Sequence, residues 1–130
     1  MPSQGSVPGG TRSTALADRP EPQALEIRLR DRDGWSVITI SGELDIQGVP
    51  LLRQLLVQAG HRIVLDLRGI TFVDCGGLRL IVGRAPDPTN GVRRIVCEEN
   101  GRVRRLLKLT GWEKTVSPYS SLDDALRDLT

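Results

Sequence analysis

Aromatic side chains are nearly missing from this 130-residue chain: Trp35, Phe72, Trp112 and Tyr119 are all of them. Its core has to be aliphatic, built from Leu, Val and Ile. Cysteine is limited to Cys75 and Cys97. Two are too few for a disulfide scaffold and suit a reducing, cytoplasmic setting. No stretch approaches the ~18 apolar residues that a membrane span needs. The N-terminal residues lack the apolar run of a secretory signal. An excess of one charge is also missing, since 18 basic and 16 acidic residues leave a net +2. The total therefore gives no electrostatic case for a nucleic acid or a membrane surface as partner. The basic residues are sixteen Arg and two Lys, which reads as the codon bias of a GC-rich genome.

What is there is enough for one domain. A chain of this size buries roughly two thirds of its surface on folding. Half of the eight prolines (Pro2, Pro8, Pro20 and Pro22) fall in residues 1–22, together with Gly5, Gly9 and Gly10. That composition predicts a disordered tail over 1–22 and a folded domain over 23–130. From Ala24 onward, Leu25, Ile27 and Leu29 alternate with charged residues, as in a half-buried strand. Asp31–Gly34 reads as a hairpin turn and Trp35–Ser41 as a second strand. Gly42–Asp45 then reads as a loop. A helix is expected over 50–59, with Pro50 early, Gly60 as the stop and Leu51, Leu52, Leu55, Leu56 and Ala59 on one face.

A strand over 62–67, a helix from Gly76 to about Arg84 closed by Pro86, and a strand over 92–97 follow. Asn100 reads as the cap of a helix ending at Thr110, with Gly111 at its C′ position. Lys114–Val116 reads as a short last strand and Ser121 as the cap of a final helix. Strands alternating with short helices predict an α/β fold. Its sheet is expected to be mixed but mostly parallel, of four to five strands with about four helices and an N-terminal β-hairpin.

Three landmarks, Gly42-Glu43-Leu44-Asp45, Phe72-Val73-Asp74-Cys75-Gly76-Gly77-Leu78 and Val103 to Gly111, occur in order and at near-family spacing. Together they resemble the STAS family, the domain of bacterial anti-sigma factor antagonists, over about residues 24–130. The resemblance implies the STAS fold and a role in sigma factor regulation. Such an antagonist binds an anti-sigma factor that is a GHKL-type serine kinase, and so frees the sigma factor. The kinase phosphorylates a Ser or Thr directly after the Asp of a D-S-[ST]-G-L segment. Asp74, Gly77 and Leu78 match that segment. The acceptor position is Cys75 and the next hydroxyl position is Gly76, so the phosphorylation switch is expected to be absent. Thr71 precedes Asp74 in the strand end and is a poor substitute.

The implied partner surface comprises Glu43, Asp45, Asp74, Cys75, Gly76, Gly77, Leu78, Arg79, Leu80 and Gly83. Helical spacing predicts Gly76, Arg79, Leu80 and Gly83 on the outward side, with Leu78, Ile81, Val82 and Ala85 in the core. Asp45 and Asp74 each read either as a charge or cap at a helix start or as a partner contact. Gly76 and Gly77 read as a tight turn into the helix.

Cys75 reads either as an inert replacement for Ser or as a redox-sensitive thiol, since a helix N-terminus favours negative charge while Asp74 opposes it. Cys97 closes the neighbouring strand and reads either as a small apolar strand-end residue or as a disulfide partner for Cys75. Enzyme chemistry at Cys75 lacks support. The position six residues on, where a tyrosine phosphatase has its phosphate-binding Arg, is Ile81, and His61 is expected at the opposite end of the sheet. No catalytic residue, metal site, cofactor or small-molecule substrate is expected. Arg93, Arg94, Arg102, Arg104, Arg105 and Lys108 form one basic cluster, read as a solvated face without the interleaved aromatics of a nucleic-acid surface. A second reading of the whole is a STAS interaction or scaffold subunit of another signalling or transport assembly, without a sigma factor.

Overall fold

The computed structural model describes residues 24–83 and 92–128. The expected tail over 1–22 lies outside them, as do Arg84, Ala85 and Pro86. Strand β1 (Glu26–Arg32) and strand β2 (Trp35–Leu44) form the hairpin. Asp33 and Gly34 both take positive φ, 54° and 83°, the pairing that a tight hairpin turn requires. β1 therefore reaches Arg32, opposite Trp35, instead of ending before Asp31.

Helix α1 (Val49–Gln58) starts around Pro50 and buries Leu52 and Leu56, whereas Leu51 is exposed. Strand β3 (Arg62–Val73) is twice as long as its apolar centre suggested. Its second half pairs with Ser41–Leu44 of β2, so Gly42-Glu43-Leu44 is strand and not loop. The reason is nonlocal: Leu44 is fully buried, and Val73 supplies its partner in the ladder.

Helix α2 (Cys75–Val82), strand β4 (Val92–Val96) and helix α3 (Arg102–Thr110) follow. Gly101, not Asn100, caps α3, and no side chain bonds to that end. Gly111 closes α3 at φ 79°, as expected. Lys114–Val116 belongs to a short helix α4 (Glu113–Val116), not to a strand. The edge of β4 is met instead by Tyr119, whose N–H donates to Ile95 and whose carbonyl accepts from Cys97. Helix α5 (Leu122–Arg127) starts at Ser121, whose Oγ accepts from the Asp124 N–H at 3.1 Å.

The sheet order is β1-β2-β3-β4, with the hairpin antiparallel and the other pairs parallel. Alternation along the strands gives it two buried faces. Ile38, Ile40, Leu44, Ile63, Leu65 and Ile95 join the buried residues of α1, α2 and α3 in the larger core. Trp35, Val37, Val64 and Val96 meet Leu122 and Ala125 of α5 on the other side. Burying this aliphatic area drives the fold, at about 25 cal/mol per Å² of apolar surface. Trp35 is sealed by two guanidinium groups, those of Arg62 at 4.3 Å and Arg94 at 4.4 Å from its ring centre.

Arg94 also donates to the Ala125 carbonyl, and Arg93 donates to the carbonyls of Leu80 and Ile81 at 2.6 and 3.3 Å. Arg104 bonds to Cys97 and pairs with Glu113. Three members of the expected solvated basic cluster are thus structural, and Arg102, Arg105 and Lys108 are its exposed members.

Candidate functional site

The parallel ends of β2 and β3 carry the site. The Asp74 N–H donates to the Leu44 carbonyl at 3.3 Å, which ties the end of β3 to the end of β2. The chain then turns straight into α2. Asp74 caps that helix: its Oδ1 accepts the Gly77 N–H at 2.9 Å. A carboxylate here satisfies one of the unpaired amides of the first turn and complements the helix dipole. Cys75 and Gly76 lie exposed on that first turn, and the Cys75 thiol is free. A Cβ on Gly76 would meet only the Asp74 carboxylate, at an ordinary 3.7 Å. A Cβ on Gly77 would press on Val73 and Leu44 at 3.0 to 3.2 Å. Gly77 is therefore a close-packing residue, buried beneath the turn.

Asp45 builds the neighbouring loop. Its Oδ1 accepts from the Gln47 N–H at 3.0 Å, and its carbonyl accepts from Gly48 and Val49. This Asx turn launches α1 and leaves Ile46 77% exposed. Between the loop, α1 and the start of α2 lies a groove of about 600 Å³. Ile46, Val49, Pro50 and Val57 give it apolar walls, and Arg53, Gln54, Asp74 and Gly76 complete it. Sequence reasoning missed this groove. Ile46 and Val57 lie outside the leucine stripe of α1, and that misfit was the available signal.

The expected partner residues divide. Asp45, Asp74, Cys75, Gly76, Arg79 and Gly83 reach the surface around α2. Gly77, Leu78 and Leu80 are buried. The outward placement of Leu80 is therefore corrected: it lies one turn beyond Gly77, on the side that α2 presses against the core, and is fully buried. Glu43 pairs with Phe72 and alternates with buried Leu44, so it belongs to the sheet face opposite the groove.

The cysteines do not meet. Val96 is level with Asp66 in the ladder, and Arg68–Val73 carries β3 on for roughly 20 Å before Cys75. A disulfide needs Cα atoms within ~7 Å. Cys97 is buried, and that burial pushes its thiol up, with Arg104 opposing only in part. Among the described residues no group of three His, Cys, Asp or Glu is placed to hold a metal ion, and no helix is long and apolar enough to cross a membrane.

The STAS-domain family profile matches residues 26–125. This chain is a STAS domain. It is 32% identical over 111 residues to the anti-sigma F factor antagonist of Paenibacillus polymyxa, covering 81% of this chain and 95% of that protein. It is 28% identical to the anti-sigma-F factor antagonist RsfB of Mycobacterium tuberculosis, over 81% of this chain and 89% of that one. Among solved structures, an anti-sigma factor antagonist from Mycobacterium paratuberculosis superposes with a TM-score of 0.68 at 30% identity, covering 83% of this chain and 98% of that one. The unphosphorylated antagonist SpoIIAA shares the fold, with a TM-score of 0.60 at 21% identity over 79% of this chain and 93% of that one.

Proposed function

We propose that this STAS domain is a cytoplasmic anti-sigma factor antagonist. In this reading it is a binding module, not an enzyme, and it releases a sigma factor by occupying a GHKL-type serine-kinase anti-sigma factor. The relatives named as antagonists support the class of partner. The observation that carries the finer reading is the exposed Cys75 on the first turn of α2, beside the apolar groove. Asp45, Asp74, Cys75, Gly76, Arg79 and Gly83 form the contact surface together with Ile46 and Val57. Gly77, Leu78 and Leu80 act from beneath by holding α2 in place.

A serine kinase needs a hydroxyl nucleophile, and neither Cys75, at the position that the kinase phosphorylates in the family segment, nor Gly76, at the next hydroxyl position, supplies one. Phosphate would otherwise sit on the amide-rich start of α2 and change the charge of the docking surface. This domain consequently stays competent to bind while ATP is present. The test mixes the full chain with GHKL-type anti-sigma factors of its own genome, with and without ATP. Complex formation is followed by size exclusion and modification by intact mass. A complex that survives ATP without a mass change supports the reading. Phosphate gain with dissociation overturns the missing switch, and failure to bind any candidate overturns the partner. The Cys75→Ser variant is expected to gain a phosphorylatable position and to release the kinase in ATP.

A further inference from the structure

Among the described residues β1 is an outer strand of the sheet, paired on one side only, with β2. Its side chains sort by alternation into two unlike rows. Arg28, Arg30 and Arg32 lie on the α5 side, opposite Thr39, Val37 and Trp35. All three are exposed, and none is in an ion pair among the described residues. The acidic group in the middle of this face, Asp66, is 5% exposed and is held in a two-pronged bond by Arg68, at 2.9 and 2.8 Å. Arg30 adds only its charge to that pair, and Glu26 begins the same row, so three arginines against one glutamate leave the row with a positive excess. On the other side of β1, Ile27 is half-buried, Leu29 is 39% exposed, and the exposed Asp31 ends the row.

An open strand edge invites a further strand, and charge on that edge selects which one. A second copy pairing antiparallel about Arg30 would set Arg28 against Arg32 and Arg30 against itself, which like charges oppose. Residues 1–23 carry Asp18 and Glu21 against Arg12 and Arg19, so they offer no acidic strip. We propose that the free edge of β1 docks an extended acidic segment of a protein partner. Carboxylates at alternate positions of that segment meet Arg28, Arg30 and Arg32, and the apolar residues between them cover Ile27 and Leu29. Alternate side chains on one strand recur every ~7 Å, so the two rows match without distortion. Backbone bonds to the strand edge supply affinity and the arginine row supplies register. The row lies on the sheet face opposite the groove, so this inference stands apart from the anti-sigma reading.

The experiment titrates the isotope-labelled full chain with two capped peptides as long as β1. One alternates Glu with Val. The other has the same composition with the glutamates in one block. The alternating peptide is expected to shift amide resonances of β1 and slow their exchange, while the block isomer binds about tenfold more weakly. Replacing the row (Arg28→Gln, Arg30→Gln and Arg32→Gln together) is expected to weaken the alternating peptide by about tenfold or more and to flatten its salt dependence. If that variant fails to fold, Arg30→Gln alone, with severalfold weaker binding, serves beside the isomer comparison. Equal binding of the two isomers, or shifts elsewhere than β1, overturns the proposal. Oligothymidylate binding more tightly than the alternating peptide overturns it in favour of a nucleic-acid face.

Discussion

The Asp74 carboxylate accepts the Gly77 backbone N–H at 2.9 Å, so the residue beside Cys75 is engaged before any partner arrives. Structural and contact roles of Asp74 can then be separated. Asp74→Ala is expected to cost about 1 kcal/mol in chemical denaturation, the usual worth of an N-cap. Asp74→Asn keeps an accepting oxygen and should cost far less. A binding defect in the Asn variant at near-native stability marks a contact through charge.

The two glycines of α2 have opposite requirements. Gly76 has room for a methyl group, and Gly76→Ala should be neutral or stabilise by up to ~1 kcal/mol through helix propensity. Gly77 has Leu44 and Val73 at its back, and Gly77→Ala should destabilise by about 1–3 kcal/mol. Thermal melts of both variants check this, and equal effects would contradict the packing described at Gly77.

The thiols differ in reach and in environment. Cys75 is exposed, whereas Cys97 is buried and its thiol is held protonated. A thiolate-specific alkylating agent at neutral pH is expected to label one cysteine in the native protein and both after unfolding. Under mild oxidant no intramolecular disulfide should form, because β3 carries Cys75 far beyond Cys97. Peptide mapping identifies the labelled residue.

Acid should weaken the sheet through Asp66. Burial pushes its carboxyl up, but the hydrogen bonds and charge of Arg68, with Arg30 adding to them, outweigh this and hold it below the usual carboxylate range. The stabilisation is complete above the unfolded value of about 3.9 and is lost as pH falls through the lower folded value. Asp66→Asn is expected to cost about 1–3 kcal/mol at neutral pH, discounted because Arg68 is partly exposed. The gap to the native protein should close in strong acid, where Asp66 is itself neutral. Denaturation at pH 7 and below pH ~3 measures both ends.

The alternation from Leu25 to Ser41, the cap at Ser121, the glycine stop at Gly111 and the Asp74 to Leu78 segment were legible because each is a local signal. A strand period, a hydroxyl before a helix and a left-handed glycine act within a few residues. The sequence by itself thus determined the α/β class, the element order as far as Thr110, the family and the absence of a hydroxyl at Cys75 and Gly76. Only the tertiary structure decided that Gly42–Leu44 is strand, that Leu80 is buried, that Cys75 and Cys97 lie apart, and that Arg93, Arg94 and Arg104 serve the interior. The same holds for the groove between α1 and α2 and for the unpaired arginine row on β1. Each of these depends on which distant segment arrives alongside: Val73 for Leu44, the sheet for Leu80, Ala125 for Arg94. Helical and strand periods tell which residues share a side, but burial is conferred by what packs on that side.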